Sequence, residues 1–245
     1  LFVQRARAAS AELTRAQDEI SQHRGAGRGH ITVGLSTTPQ MALLPSVIDP
    51  FMRRYPEVKL TVVEALGFRS VEAQMRAGTV DAYIGVAPTA KLSTEYQMET
   101  LFQNQRAVIA RAGHPLAHAK SLRELTDANW IVSSGNDADA SVSALFRRHR
   151  LKVPTRHTYV GSVLGQIVFL LSSDSLRIAP RQFVEFTPFK DHLVRIPVRE
   201  EIDAPAVVMI RRAALPLTPA AEHFCDLIRR ASVSSQAPAP VRARA

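Results

Sequence analysis

Few residues in this chain have a type and spacing suited to chemistry, and they are scattered. The single thiol, Cys225, falls beside Phe224 and Ile228 on the apolar side of a helical pattern. That is the setting of a buried structural cysteine, because a nucleophile needs cationic neighbours to form its thiolate. His114, His118, His149, His157 and His192 share no helix face at metal-ligand spacing. Asp137 and Asp139 lie close together in a loop without an identifiable partner acid or base. No glycine-rich phosphate-cradling pattern occurs. One cysteine also excludes an internal disulfide and any multi-cysteine zinc or iron–sulfur site. The expectation is a chain without catalytic residues, metal or cofactor, and not an enzyme. What remains is polar turn chemistry, such as Thr37-Thr38-Pro39, where an N-cap precedes proline at a helix start.

The elements that would position such turns alternate along the chain. Phe2, Ala6, Ala9, Leu13, Ala16 and Ile20 step by alternating fours and threes, an apolar heptad seam on a helix of otherwise polar, helix-favouring residues. A glycine-rich stretch from Gly25 to Gly29 ends it. A seam that narrow predicts pairing with another chain, whereas a helix packed on its own domain usually carries a wider stripe. Residues 30–36, 58–64 and 81–86 then read as strands, separated by helical spacing at Met41, Leu44, Ile48, Phe51 and Tyr55 and again at Val71 and Met75. Pro45 and Pro50 predict that the first of these helices is kinked or split. This is β-α-β-α-β, hence parallel strands with helices outside.

A second block repeats the rhythm. Strands are predicted at residues 105–111, 130–132, 158–161, 176–179, 193–196 and 206–212, with a capping box at Ser121 and Glu124. Helices are predicted at residues 142–149, 162–171 and from Thr218 to Ala231, followed by a Ser/Ala/Pro/Arg-rich tail that reads as disordered.

The net charge of +9 over 245 residues raises the question of nucleic acid. Residues 1–30 hold five Arg and three acids, and the last 14 residues hold two Arg and no acid. The remaining body has 24 basic and 19 acidic residues, a dispersed +5, with no Arg/Lys run longer than two. A DNA-reading surface in the body is therefore not expected. No apolar run approaches the roughly 18 residues of a membrane span. The opening Leu1-Phe2-Val3-Gln4-Arg5 is neither a Met start nor an apolar signal peptide. Both point to a cytoplasmic fragment of a longer chain.

In order, the basic heptad helix, the glycine joint and His30-Ile31-Thr32-Val33-Gly34-Leu35-Ser36 resemble the linker helix and first strand of LysR-type transcriptional regulators. Ala42-Leu43-Leu44-Pro45 with Phe51-Met52-Arg53-Arg54-Tyr55-Pro56 is similar to that family's first helix. Gln74-Met75-Arg76-Ala77-Gly78-Thr79-Val80-Asp81-Ala82 resembles its Gly-x-Leu-Asp turn. His114-Pro115-Leu116 and the run from Ser162 to Ile178-Ala179-Pro180-Arg181 follow in the family's order. The resemblance extends from Leu1 to about Ala231 and rests on order and spacing together. Two positions depart from it: Phe68 stands where many members carry Ser or Thr, and Ser173-Asp174-Ser175-Leu176 replaces a glycine-rich turn.

The resemblance implies an α/β fold of two Rossmann-like subdomains joined by two crossover strands, periplasmic-binding-protein-like, preceded by a linker helix. Residues 1–29 would be the linker and dimerisation helix, residues 30–105 with 213–231 subdomain I, and residues 112–205 subdomain II. The crossovers would be residues 106–111 and 206–212, with a disordered tail at 232–245. It implies an effector sensor, in which a small molecule binds between the subdomains and shifts oligomer geometry. The partners would be a small-molecule effector, guessed to be an organic anion, and copies of the chain in a homodimer or homotetramer. The surfaces of residues 39–55 and 70–77 would pair the copies. Promoter DNA and RNA polymerase would be met through the full-length protein, whose winged helix-turn-helix would precede Leu1, and no membrane is implied.

Effector contacts then fall on helix starts, whose free N–H groups stabilise anions. Ser36, Thr37 and Thr38 are one set, with plain N-capping as the alternative. Phe68 would offer an aromatic face, with ordinary core packing as its alternative. Ser133, Ser134 and Asn136, and Gly161 with Ser162, form the opposing set, with turn chemistry as theirs. A periplasmic-type solute-binding protein of a transport system is the competing function, since it shares the two-subdomain plan.

Overall fold

The computed structural model describes residues 2–23, 28–133 and 138–236. In chain order the elements begin with helix α1 (Phe2–His23), strand β1 (Gly29–Leu35), α2 (Thr37–Ala42), α3 (Leu44–Arg54) and β2 (Val58–Glu64). Next come α4 (Phe68–Arg76), β3 (Ala82–Val86), β4 (Tyr96–Phe102) and β5 (Arg106–Arg111). A short 3-10 turn at Leu122–Leu125 leads to β6 (Asn129–Val132), α5 (Ala138–Arg148), β7 (His157–Tyr159), α6 (Val163–Ser172) and β8 (Ser175–Pro180). The chain closes with α7 (Gln182–Glu185), β9 (Leu193–Ile196), β10 (Val207–Arg212) and α8 (Pro219–Gln236).

Two compact units result: Leu1–Gln103 with Pro205–Ala245, and Asn104–Ala204. Unit 1 has the sheet order β2-β1-β3-β10-β4, and unit 2 has β7-β6-β8-β5-β9. In each, three strands run parallel and a fourth joins antiparallel. That fourth strand, β10 in unit 1 and β5 in unit 2, is the first strand after the chain passes from one unit to the other. The inner parallel strands β1, β3 and β6 are apolar because helices cover both faces. Ile31, Val33, Leu35, Val47, Phe51, Phe224 and Ile228 are fully buried in unit 1, with Phe51 edge-on to Phe224 at 5.3 Å. Trp130 and Phe146 meet the same way at 5.6 Å in unit 2.

The proline-rich first helix is split, as the sequence predicts, and the break falls at Leu43. Pro45 has no N–H to give the carbonyl four residues earlier, so a new helix starts around it, while Pro50 is tolerated inside α3. The capping box at Ser121 is formed. Cys225 is 1% exposed, and burial pushes its thiol up to about 12. Strand β4 is absent from the sequence reading. It pairs only with β10, so its positions Gln97 and Glu99 are polar, the first exposed and the second half-buried, and the alternation is hidden.

Helix α1 departs from the simple picture of a free pairing helix. Leu13 and Ile20 of its seam are exposed, at 70% and 54%. Its other face docks on unit 1 through polar contacts. Arg15 reaches Asp81 at 2.7 Å, both side chains nearly buried, and Arg212 reaches Glu12 at 2.8 Å. Asp18 accepts the His30 N–H, and Gln22 accepts the Ala220 N–H at the start of α8. A stripe of hydrophobicity misses this docking because the docked residues are charged.

Candidate functional site

In unit 1 the polar turn closes around Ser36. This residue is the N-cap of α2, in extended backbone, yet its hydroxyl makes no capping bond and is buried without any partner. Its N–H donates to the Ile84 carbonyl at 3.0 Å, which fixes the turn to the end of β3. Thr37 and Thr38 are the first helical residues, so their N–H groups have no carbonyl one turn back. Pro39 brings no third N–H, and the Gln40 side chain braces the strand end by donating to the Leu35 carbonyl at 3.0 Å. Capping by Thr37 or Thr38, the plain alternative, is not what the turn does: the cap position belongs to Ser36 and its oxygen is uncommitted. The turn therefore gathers one free hydroxyl and two free amides that an anion could accept from.

Two residues that the sequence reading missed shape this turn. Tyr83 lies along β3 and donates its hydroxyl to the Val86 carbonyl at 3.0 Å. A Cβ at Gly85 would lie 2.3 Å from that hydroxyl and 2.9 Å from the Ser36 hydroxyl, so glycine is required there by close approach. Burial raises the Tyr83 pKa, keeping it neutral. The signal in the sequence is the glycine within an otherwise bulky strand, Ala82-Tyr83-Ile84-Gly85-Val86.

Phe68 takes the core alternative. It is 5% exposed, and its ring lies edge-on to Tyr83 at 5.8 Å and to Tyr96 at 5.1 Å. Helix α4 needs that aromatic anchor at its first turn to seat Val71 and Met75 beside Val208 and Ile210. A residue so placed fills unit 1 and presents no free aromatic face.

In unit 2, Ser162 is the N-cap of α6 and accepts the Gly165 N–H at 3.0 Å, while Gly161 before it is exposed. Ser133 is exposed at the end of β6. Gln166 brings these positions together. It is 1% exposed, donates to the Val160 carbonyl at 2.7 Å and to the Ser133 hydroxyl at 3.3 Å, and leaves its own Oε1 buried without a partner. It is the one amide side chain in the apolar helix Val163–Ser172, a signal that the sequence reading passed over. Ser134 and Asn136 lie outside the described residues.

The remaining chemical candidates carry structure. His114 accepts the Leu116 N–H at 2.9 Å within its turn, and no cluster of three or more potential metal ligands occurs among the described residues. None of the described helices is long and apolar enough to cross a membrane. Besides the α1 seam, apolar helix faces are exposed at Ile48 and Met52 on α3 and at Leu164, Val168, Phe169 and Leu171 on α6.

The family model for the LysR substrate binding domain matches residues 24–232. The chain is 25% identical over 221 residues to the HTH-type transcriptional regulator GalR of Pseudomonas putida, covering 89% of this chain and 55% of that one. It is 24% identical over 238 residues to the HTH-type transcriptional regulator GbpR of Azospirillum brasilense, covering 95% and 69%. The chain thus spans little more than half of the first relative. Among solved structures, the BenM effector binding domain with its effector benzoate aligns at TM-score 0.65 and 18% identity, over 88% of this chain and 97% of that one. The effector binding domain of QuiR with shikimate aligns at TM-score 0.66 and 14% identity, over 84% and 98%. Those likenesses establish a shared fold.

Proposed function

Because this chain belongs to the LysR substrate-binding-domain family, we propose that it is the effector-sensing part of a LysR-type transcriptional regulator whose effector is a small organic anion. The observation that carries the ligand class is the α2 turn, where the Ser36 hydroxyl is buried and unpartnered beside two free amides. Such donors stabilise negative charge without any catalytic group. The Ser133, Gly161 and Ser162 end of unit 2, organised by Gln166, is the second proposed set of contacts. Benzoate and shikimate, bound by BenM and QuiR, are carboxylates and fit that chemistry. GalR and GbpR are both named as transcriptional regulators, which favours sensing over solute transport and over catalysis.

In the proposed mechanism the effector acts by binding one arrangement of the protein better than another, since equal affinity would shift nothing. Copies of the chain pair through the exposed seam of α1 and the apolar faces of α3 and α6. Helix α4, expected to share in pairing, shows no large exposed apolar residue and is left out. Promoter DNA and RNA polymerase are reached by the longer parent protein in the cytoplasm.

The test is calorimetric titration with benzoate, shikimate and a panel of small organic acids. Ser36→Ala should weaken the binding acid about tenfold, the loss of one charge-assisted hydrogen bond, and lower stability by less than about 1 kcal/mol. Unchanged affinity in Ser36→Ala would remove the α2 turn from the site.

A further inference from the structure

Unit 2 contains a pocket of about 510 Å³ that shares no residue with the polar turns above. Its carboxylates already have partners. Glu200 accepts from the Ser121 hydroxyl at 2.5 Å and from the Leu122 N–H at 3.1 Å, and Glu201 and Asp203 lie against Arg148. Its guanidiniums are less well supplied. Arg181 is held by Glu185 and by the Gln105 side-chain carbonyl. Arg106, Arg195 and Arg199 make no side-chain hydrogen bond or ion pair to any described residue, although Glu200 feels the charge of Arg199.

Arg106 is the costly one, because it is half-buried at the start of β5 and burial lowers its pKa. One strand away, Arg177 stands over the Phe183 ring at 4.8 Å with its Nη1 buried and unpartnered. Burial, and then repulsion from Arg106, brings Arg177 down to about 10. At the pocket wall Asn104 is 6% exposed. Its Oδ1 accepts the Gln105 N–H at 2.9 Å, which fixes the amide and leaves Nδ2 as a donor without a partner. Partly buried cations and amide donors left without acceptors are strongly disfavoured unless something else supplies the acceptor.

We propose that this pocket is a second anion site, taking a small dianion of the phosphate or dicarboxylate class between Arg106 and the Asn104 amide, with Arg195 and Arg199 at its rim. The volume suits a small molecule, and guanidinium and amide donors suit its oxygens. The wall includes both Asn104 and Ala204, the residues at which the chain enters and leaves unit 2. An occupant therefore touches both ends of unit 2.

The experiment is thermal unfolding and calorimetry of the whole chain in phosphate and in malonate, against sodium chloride at equal ionic strength. A saturable rise in Tm with phosphate, malonate or both is expected, and which of them acts separates a phosphoryl ligand from a dicarboxylate. Asn104→Asp keeps the acceptor for Gln105 and supplies an internal negative charge, and Arg106→Met removes the unneutralised cation. Each should weaken binding at least about tenfold, and each should raise Tm in the anion-free buffer. Ser36→Ala should leave the rise unchanged, which separates this site from the proposed effector turn. A rise reproduced by chloride, no rise with either anion, a saturable rise surviving in both variants, or a lower anion-free Tm in Arg106→Met would each overturn the proposal.

Discussion

Units 1 and 2 build the same sheet from different charge economies. Each has three parallel strands, an antiparallel fourth and an edge strand beyond it. In unit 1 the arginines join elements to one another. Arg15 and Arg212 tie α1 to the body, and Arg229 of α8 grips Glu99 of β4 with both Glu99 oxygens at 3.0 Å. Asp226 and Glu222 crowd the same guanidinium, so its pKa rises although burial opposes this. In unit 2, by contrast, neither Arg106 nor Arg177 makes a hydrogen bond or ion pair with a carboxylate of the described residues. Equal architecture with unequal pairing means that the fold does not require the unpaired cations. Charges that hold a structure find partners within it, and charges that await a ligand do not.

The comparison breaks most sharply at Asp81. Asp81→Asn should cost about 3 kcal/mol in urea unfolding, since it strands the nearly buried Arg15 guanidinium. Part of that cost is avoided if α1 lifts away, so faster hydrogen exchange in α1 should accompany it. Next in size is a matched pair. Arg229→Met leaves Glu99 and Asp226 without their cation, while Glu222 keeps Arg211, and should cost about 2 kcal/mol. Arg177→Met loses a contact over Phe183 but removes an unneutralised charge, and should be neutral within about 1 kcal/mol. Equal costs for these two would end the distinction between the units.

The smallest effect concerns pH. Burial alone would raise Glu200, but hydrogen bonds from Ser121 and Leu122 outweigh it and hold the carboxyl below its ordinary 4.5. A depressed folded value contributes stability above the unfolded pKa, and that contribution is lost as pH falls through the folded one. The Tm advantage of the native protein over Glu200→Gln should be present near about pH 6 and shrink as pH falls below 4.5.

The parallel strands were legible because β1, β3 and β6 are largely buried on both faces and read as apolar runs, whereas their order in the sheet was not. The first helix broke where proline chemistry said it must. Strand β4 was not legible, since an edge strand carrying Gln97 and Glu99 looks like a loop. The docking of α1 was hidden for a related reason. Arg15, Asp18 and Gln22 sit on the polar side of a heptad pattern, and nothing local tells a solvated charge from one whose partner lies 66 residues away. The hydroxyls of the candidate site were visible as turn residues. What makes the turn open, the close approach of Gly85 and Tyr83, depends on a strand far along the chain. Phe68 could be read either way, and only the neighbouring tyrosines decide for the core.

One feature of the sheet order bears on how the chain comes to be folded. Strand β10 lies between β3 and β4, so two strands made early have no hydrogen-bonded link until residues 207–212 arrive. Unit 2, an unbroken stretch of sequence, can close as soon as it leaves the ribosome. Unit 1 must wait for it, holding β3 and β4 apart with a whole unit looped out between β4 and β10. Unit 1 is therefore the half that finishes last, and its exposed strand edges are the segment most in need of protection during synthesis.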